Sequence, residues 1–285
     1  MSYLRYVQTF EFGQKNCQDP QHCVFCLCDM MKELKMTENN IRQYFDFQQL
    51  LKQFFLKNQC VSTAQLDCWL NRIKEKLQHN EQNDRIDREL AIINANQTLR
   101  SYGFAIKKVF CKSSDETFYT LINETEDALT AKSMWTRNEN SFYYLLVDAI
   151  VKSFLQIDDN DDNDGFNLNE HLAIGMTSAN NVARNTNITI ILGEKILKNW
   201  INQYWFKKID RGSKITLGVR TLTQKSGYLI RKYNLSACKH CGLVCFYGSK
   251  CTKCNICWHE KCLQSSNNNT CSSCNQPLSN NQICK

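Results

Sequence analysis

No stretch of this chain is apolar for the roughly 18–20 residues that a bilayer-spanning helix needs. Its first residues, MSYLRYVQTFEFGQ, lack the charged, apolar and small-residue regions of a secretory signal. Together these absences predict a protein of the cytosol or nucleus with no membrane partner. There is no glycine loop of the kind that cradles phosphates. Five histidines without a nucleophile motif leave nothing for hydrolase chemistry, and His79 and His171 read as surface or helix-end residues.

What is abundant is cysteine. Seventeen in a chain without an export signal make a poor disulfide framework, because thiols stay reduced inside cells. Metal binding explains them better where they form CxxC pairs beside a histidine. The formal charge of +7 is mild but uneven: Lys195–Lys232 holds ten basic side chains against one acid, Asp210. At 285 residues the chain is long enough for two or three small domains with cores of their own.

Residues 1–45 read as an N-terminal extension. Its Cys17, His22, Cys23, Cys26 and Cys28 form either a small metal knuckle or an arm with free thiols. Helical periodicity begins at Phe47, with Phe47, Leu50, Leu51, Phe54 and Phe55 on one face. Ser62 and Gln65 have capping-box spacing, ahead of a second face of Leu66, Trp69, Leu70, Ile73 and Leu77. A third helix follows with Ile86, Leu90, Ile93 and Leu99. The β-branched and aromatic runs Phe104–Cys111 and Thr117–Ile122 then predict a hairpin. This outline recurs. Phe142–Phe154 predicts a helix burying Leu145, Leu146, Ala149 and Ile150, and Leu192, Ile196, Leu197, Trp200, Ile201 and Tyr204 mark another. A second hairpin runs from Trp205–Ile209, through the turn Asp210–Ser213, to Ile215, Leu217 and Val219. The fold class expected is α+β, mostly helical: winged-helix domains over 46–125 and 140–228, then a zinc finger over 236–278. Cys60, Cys68 and Cys111 fall in helix or strand patterns and read as core residues. The acidic Asp158–Asp164 with Gly165 invites an EF-hand reading. With Gly165 at loop position 6, however, the last ligand would be His171 and not the bidentate Glu that calcium needs, so it reads as a solvated loop.

The finger carries the strongest pattern: Cys238-x2-Cys241-x9-Cys251-x2-Cys254-x4-His259-x2-Cys262-x8-Cys271-x2-Cys274. Zinc takes four thiolate or imidazole ligands in a tetrahedron, and CxxC brings two thiolates to one ion. Eight ligands in four pairs mean two ions. In the cross-brace of a RING, Cys238, Cys241, His259 and Cys262 hold one, and Cys251, Cys254, Cys271 and Cys274 the other. Cys257 also forms a CxxC with Cys254, but using it would orphan Cys251. Cys257 and Trp258 are therefore read as structural, with Trp258 supplying apolar packing. All ligands are protein groups, so neither ion keeps a position for activating water, and any catalysis works by orienting other proteins.

A C4HC3 finger behind tandem winged helices resembles the non-SMC element 1 family, RING-finger subunits of the structural maintenance of chromosomes (SMC) 5/6 complex. The resemblance runs from about residue 46 to 275. It rests on the domain order, on Gly248-Ser-Lys-Cys251 ahead of Cys254-x4-His259-x2-Cys262, and on the aromatic-ended helix Glu194–Phe206 with its hairpin. It implies ubiquitin ligase activity with a ubiquitin-conjugating enzyme, a MAGE-type winged-helix partner and a kleisin subunit. It also implies a nuclear, chromatin-associated role in DNA repair. Lys239 and His240 stand within the first pair and Asn275 follows the last cysteine, where a strong ligase carries hydrophobic and basic side chains. Leu243, Val244 and Pro277 are then the candidates for docking a conjugating enzyme, and the ligase is expected to be weak alone.

Two other readings stand beside the ligase. A histone-reading PHD finger has a longer final gap, with an aromatic where Asn269 stands here, which argues against it. A non-catalytic adaptor subunit fits the same ligands. Lys207, Lys208, Arg211 and Lys214, on or beside the second hairpin, are candidates for phosphate contacts with DNA; a solvated face or an acidic partner explains them equally well.

Overall fold

The computed structural model describes residues 47–76, 87–111, 114–125, 135–156, 171–264 and 270–284. The Cys17–Cys28 cluster, Leu77, His79, Ile86 and the acidic loop Asp158–Asp164 lie outside the described residues.

The first unit runs α1 (Phe47–Asn58), β1 (Cys60–Ser62), α2 (Thr63–Lys76), α3 (Arg88–Leu99), β2 (Phe104–Cys111) and β3 (Glu116–Asn123). The second repeats the order: α4 (Arg137–Leu155), β4 (Ala173–Gly175), α5 (Met176–Arg184), α6 (Ile190–Asn202), β5 (Phe206–Ile209) and β6 (Lys214–Leu217). Each unit builds a three-stranded antiparallel sheet with its short strand beside the last strand of the hairpin, β1-β3-β2 and β4-β6-β5. Two short helices, α7 (Val219–Gln224) and α8 (Ser226–Tyr233), lead into the finger. The finger contains β7 (Tyr247–Lys250), β8 (Cys257–Trp258), α9 (Glu260–Gln264) and β9 (Ser279–Ile283), in strand order β8-β7-β9.

Local chemistry explains where the helices begin. Ser62 Oγ accepts from the Gln65 amide while Gln65 Oε1 accepts from the Ser62 amide, so two orphan donors at the start of α2 are satisfied. Asp87 accepts from the amides of Glu89 and Leu90 ahead of α3. Thr136 and Glu139 close a second capping box on α4.

The predicted face of α3 is rotated, that of α4 partly so, and that of α6 holds at Ile196, Leu197 and Trp200 but not at its ends. On α3 the buried residues are Ala91, Ile92, Ala95 and Leu99, while Leu90 and Ile93 are 55% and 56% exposed. The small alanines let α3 approach closely, and Asn96 pins it by exchanging two hydrogen bonds with the Ile106 backbone. On α4 the aromatic stripe Phe142, Tyr143, Leu146, Val147, Ile150, Val151 and Phe154 is buried and Leu145 is exposed. On α6 Leu192 is exposed, and the helix ends at Asn202, so Tyr204 lies beyond it in a left-handed conformation. Val219 opens α7 and does not extend the hairpin. Gly218 turns the chain there, and a Cβ on it would collide with the Tyr204 carbonyl. The core cysteines are as expected for Cys60 and Cys111, which are buried; Cys68 is half-buried.

The parts share cores. Val219 packs with Cys60, Cys111 and Phe118 between the two units. Arg220 donates to Gln59 of the first unit and Gln224 of its own helix, and lies 4.2 Å over the Trp205 ring. Burial lowers the Arg220 pKa to about 10. On the other side, Val244 and Phe246 of the finger belong to the core of the second unit, with Phe246 edge-on to Phe154 at 5.1 Å. No helix among the described residues is long and apolar enough to cross a membrane.

The rotated face of α3 can be measured. Leu99→Ala should cost about 2–5 kcal/mol by cavity formation, and Leu90→Ala should stay within about 0.5 kcal/mol. Urea denaturation followed by circular dichroism checks both; equal losses would return Leu90 to the core.

Candidate metal centre

Eight side chains from the finger meet in two groups. Cys238, Cys241, His259 and Cys262 form one, and Cys251, Cys254, Cys271 and Cys274 the other, with ligand atoms inside each group all within 4.8 Å of one another. The first and third pairs of the sequence therefore share one site and the second and fourth pairs share the other. The chain alternates between the sites, so the two pairs of each site bracket one pair of the other.

Three of the pairs are the same turn. The amide of Gly242 donates to the Cys238 carbonyl, that of Asn255 to Cys251, and that of Asn275 to Cys271, each at 2.8 Å. The first cysteine of each pair in turn donates to Leu243, Ile256 and Gln276. Gly242, Asn255 and Asn275 all have positive φ, a conformation that glycine and asparagine adopt at least cost. These turn residues escaped the sequence reading. Their signal is a glycine or asparagine directly after the second cysteine of each pair. The remaining pair, the third in sequence, sits at the start of helix α9, with His259 just before the helix and Cys262 in its first turn. Backbone amides also reach sulfur: Cys254 to Cys251 Sγ and His259 to Cys238 Sγ, both at 3.4 Å.

His259 decides how the first group is oriented. Its Nδ1 lies 3.3 Å from Cys241 Sγ and 3.8 Å from Cys262 Sγ. Its Nε2 lies 3.0 Å from the Val244 carbonyl. With the proton on Nε2 donated to that carbonyl, the lone pair of Nδ1 faces the three sulfurs, the arrangement a metal-binding histidine needs. Four soft and borderline ligands at tetrahedral reach fit zinc. The second group, all sulfur, fits it as well.

The sites are charged unevenly. Hydrogen bonds from Cys241 and Cys262 hold Cys238 far below the usual thiol range, and the same contacts push Cys262 up. Burial alone would lower the His259 pKa, but hydrogen bonds to Cys238 and Cys241 outweigh it and raise it to about 10. In the second group, Cys274 first and burial second push Cys254 up to about 12. Burial would raise Cys271 too, yet amides of Ser273 and Cys274 bring it down to about 7. Metal entering either group displaces the protons its thiols carry.

The remaining candidates divide. Cys257 and Trp258 are buried in the finger outside both groups. Gly248 lets β7 approach β8, because a Cβ there would collide with the Trp258 carbonyl. The docking set does not form one exposed surface. Leu243 and Val244 are 9% and 4% exposed, since Val244 is pinned by the Ser226 hydroxyl and packs into the second unit, while Pro277 is exposed. Of the basic candidates, Lys208 and Arg211 are exposed and Lys207 and Lys214 half-buried on the β5–β6 hairpin, with Arg211 left-handed at its turn. Lys261 on α9 lies 5.1 Å over the Phe110 ring, so the finger also touches the first hairpin.

A family model described as "Nse1 non-SMC component of SMC5-6 complex" matches residues 48–224. The chain belongs to this family. The match covers both helix-and-hairpin units and stops short of the first ligand, Cys238. A solved structure titled "Nse1-Nse3-Nse4 complex" is similar in fold, with a TM-score of 0.54 and 19% identity over 81% of this chain and 95% of that one. No curated protein matches the sequence.

Zinc binding should weaken as pH falls. The raised His259 and Cys254 protons must leave for metal to enter, so each displaced proton makes affinity drop about tenfold per pH unit. Competition with a chromophoric chelator between pH 8 and 6 measures the slope. A flat profile would mean that these groups are not ligands.

Proposed function

We propose that the chain is a RING-type E3 ubiquitin ligase subunit of the SMC5-6 complex. In this reading 46–125 and 140–228 are winged-helix domains and 236–278 is a C4HC3 cross-braced finger. The observation that carries the reading is the interleaving of two complete four-ligand groups in a family of SMC5-6 components. Two structural zinc ions fill groups that leave no coordination position for water, so the metals do no bond chemistry. The finger instead binds a ubiquitin-charged conjugating enzyme and holds its thioester toward a substrate lysine, a positioning effect. Pro277 is the exposed member of the docking set. With Leu243 and Val244 turned inward, the docking surface is small, and the ligase needs a partner to become efficient.

The partners in this reading are a MAGE-type winged-helix subunit and a kleisin, supported by the fold likeness to a chain of the Nse1-Nse3-Nse4 complex. The work is then DNA repair and chromosome maintenance on chromatin in the nucleus. The alternative is a non-catalytic adaptor whose finger only secures a subunit interface; burial of Val244 and Phe246 in the second unit favours it to that extent.

Autoubiquitination with a panel of conjugating enzymes separates the two. The ligase reading expects chains that grow when the MAGE-type partner is added and disappear in Cys251→Ser. If no enzyme in the panel gives zinc-dependent chains while the subunits still assemble, the adaptor reading holds.

The β5–β6 hairpin supports DNA contact as a second role, because Lys208 and Arg211 project at its exposed end beside Lys207 and Lys214. Phosphate contacts of this kind are salt-sensitive and indifferent to sequence. Combined Lys207→Glu, Lys208→Glu and Arg211→Glu should lower affinity for duplex DNA at least about tenfold and flatten the salt slope by about 2–3. Unchanged affinity and slope in a fluorescence-anisotropy titration would remove the role.

A further inference from the structure

Three buried cysteines of the finger belong to neither metal group. Cys245 and Cys284 are fully buried and Cys257 is 1% exposed. The sheet brings them together. Cys245 precedes β7 and Cys284 follows β9, and these strands are antiparallel, so the start of one meets the end of the other. The Cys284 amide donates to the Phe246 carbonyl at 2.9 Å, and the two sulfurs Cys245 Sγ and Cys284 Sγ lie 3.8 Å apart. Cys257 lies on β8, at the other side of β7, and its thiol interacts with Cys284.

A third metal site is not what this trio forms. Among the described residues, only the two groups of four bring all their ligand atoms within 4.8 Å. Cys284 is the sulfur that the other two share. Two sulfurs in contact across adjoining strands are instead the starting geometry for a disulfide, which needs rotation about each Cα–Cβ bond to close to about 2.05 Å.

We propose that Cys245 and Cys284 form a reversible redox pair, in which a hydroperoxide oxidises them to a disulfide that fastens β9 to the base of β7 and leaves both metal groups intact. The Cys284 thiolate attacks the peroxide oxygen, the O–O bond breaks, and the departing hydroxide leaves as water with a proton from solvent. Cys284 is then a sulfenic acid. The Cys245 sulfur attacks it, the S–S bond forms, the S–O bond breaks, and the hydroxide takes the Cys245 proton. In sum, two thiols and one hydrogen peroxide give one disulfide and two waters, a transfer of two electrons. A thiol reductant reverses it.

The fold sets when this happens. The hydrogen bond with Cys245, ahead of burial, pushes the Cys284 thiol up to about 12, so the packed pair is inert. Strand β9 lies at the edge of its sheet, and its pairing with β7 is irregular between Gly248 and Lys250. Edge elements of this kind open locally ahead of the rest. Opening exposes Cys284 and frees its proton; reclosing returns the oxidised sulfur to Cys245. The link then holds the strand shut.

The test uses the full-length, zinc-loaded protein. It is treated with limiting hydrogen peroxide, alkylated, digested without reductant and mapped by mass spectrometry, with zinc counted on the intact protein. The expected product is one Cys245–Cys284 linked peptide, lighter by two hydrogens, with the zinc count unchanged. Backbone amides of β9 should then exchange at least about tenfold more slowly. In Cys245→Ser the link is absent and dimedone labels Cys284; the wild-type map stands even if that variant folds poorly. Zinc released before any link forms would overturn the proposal. So would a Cys257–Cys284 link, or sulfinic acid on Cys284 beside an unmodified Cys245.

Discussion

The hydrogen bond between His259 Nε2 and the Val244 carbonyl ties the metal chemistry to the hydrophobic core. On one side it fixes the imidazole so that Nδ1 faces Cys241 and Cys262. On the other, Val244 is held by the Ser226 hydroxyl and packs with the aromatic stripe of α4. A ligand and a core residue thus constrain each other through one carbonyl. Without it the ring could turn, and the first candidate metal group would lose its only nitrogen. The finger is accordingly built as an extension of the second unit's core and not as a bead on a string.

The same linkage organises the other parts. Arg220 and Val219 bind the second unit to the first, and Lys261 of the finger reaches Phe110 of the first hairpin. Three modules that each follow a simple local plan are joined by a handful of contacts on α7, α9 and the segment 243–246. A mutation in the α4 stripe therefore acts on the finger as well as on its own unit, through Phe154 and Phe246.

What could be read from the sequence was whatever is set locally. The Ser62–Gln65 box, both hairpins and the four ligand pairs follow from spacing alone, because each depends on residues a few positions apart. The interleaved grouping of those pairs came from the RING pattern and not from local spacing. The buried face of α3 did not follow. Leu90 and Ile93 and the Ala91–Ala95 stripe have equally good helical periodicity, and the choice falls to the approach of β2, which a hydropathy pattern does not contain. Leu243 and Val244 misled for a related reason: beside a finger they look like surface, and only the distant Ser226 and Phe154 bury their segment. The strand β9 and the meeting of Cys245 with Cys284 depend on pairing across the whole finger, beyond the reach of any motif.

The alternation of the ligand pairs also imposes an order in time. A chain made from its N-terminus cannot complete the first group until Cys262 has emerged, nor the second until Cys274 has followed. By then the first pair, Cys238 and Cys241, has waited through the synthesis of the second, and Cys251 and Cys254 have waited in turn. The group containing His259 is the first whose four side chains have all emerged, after the whole of the second unit, and the all-sulfur group is complete only once Cys274 follows. Assembly of the two sites is thus sequential by construction, and the nascent finger spends that interval as a row of unpaired thiols for which any soft metal in the cell competes.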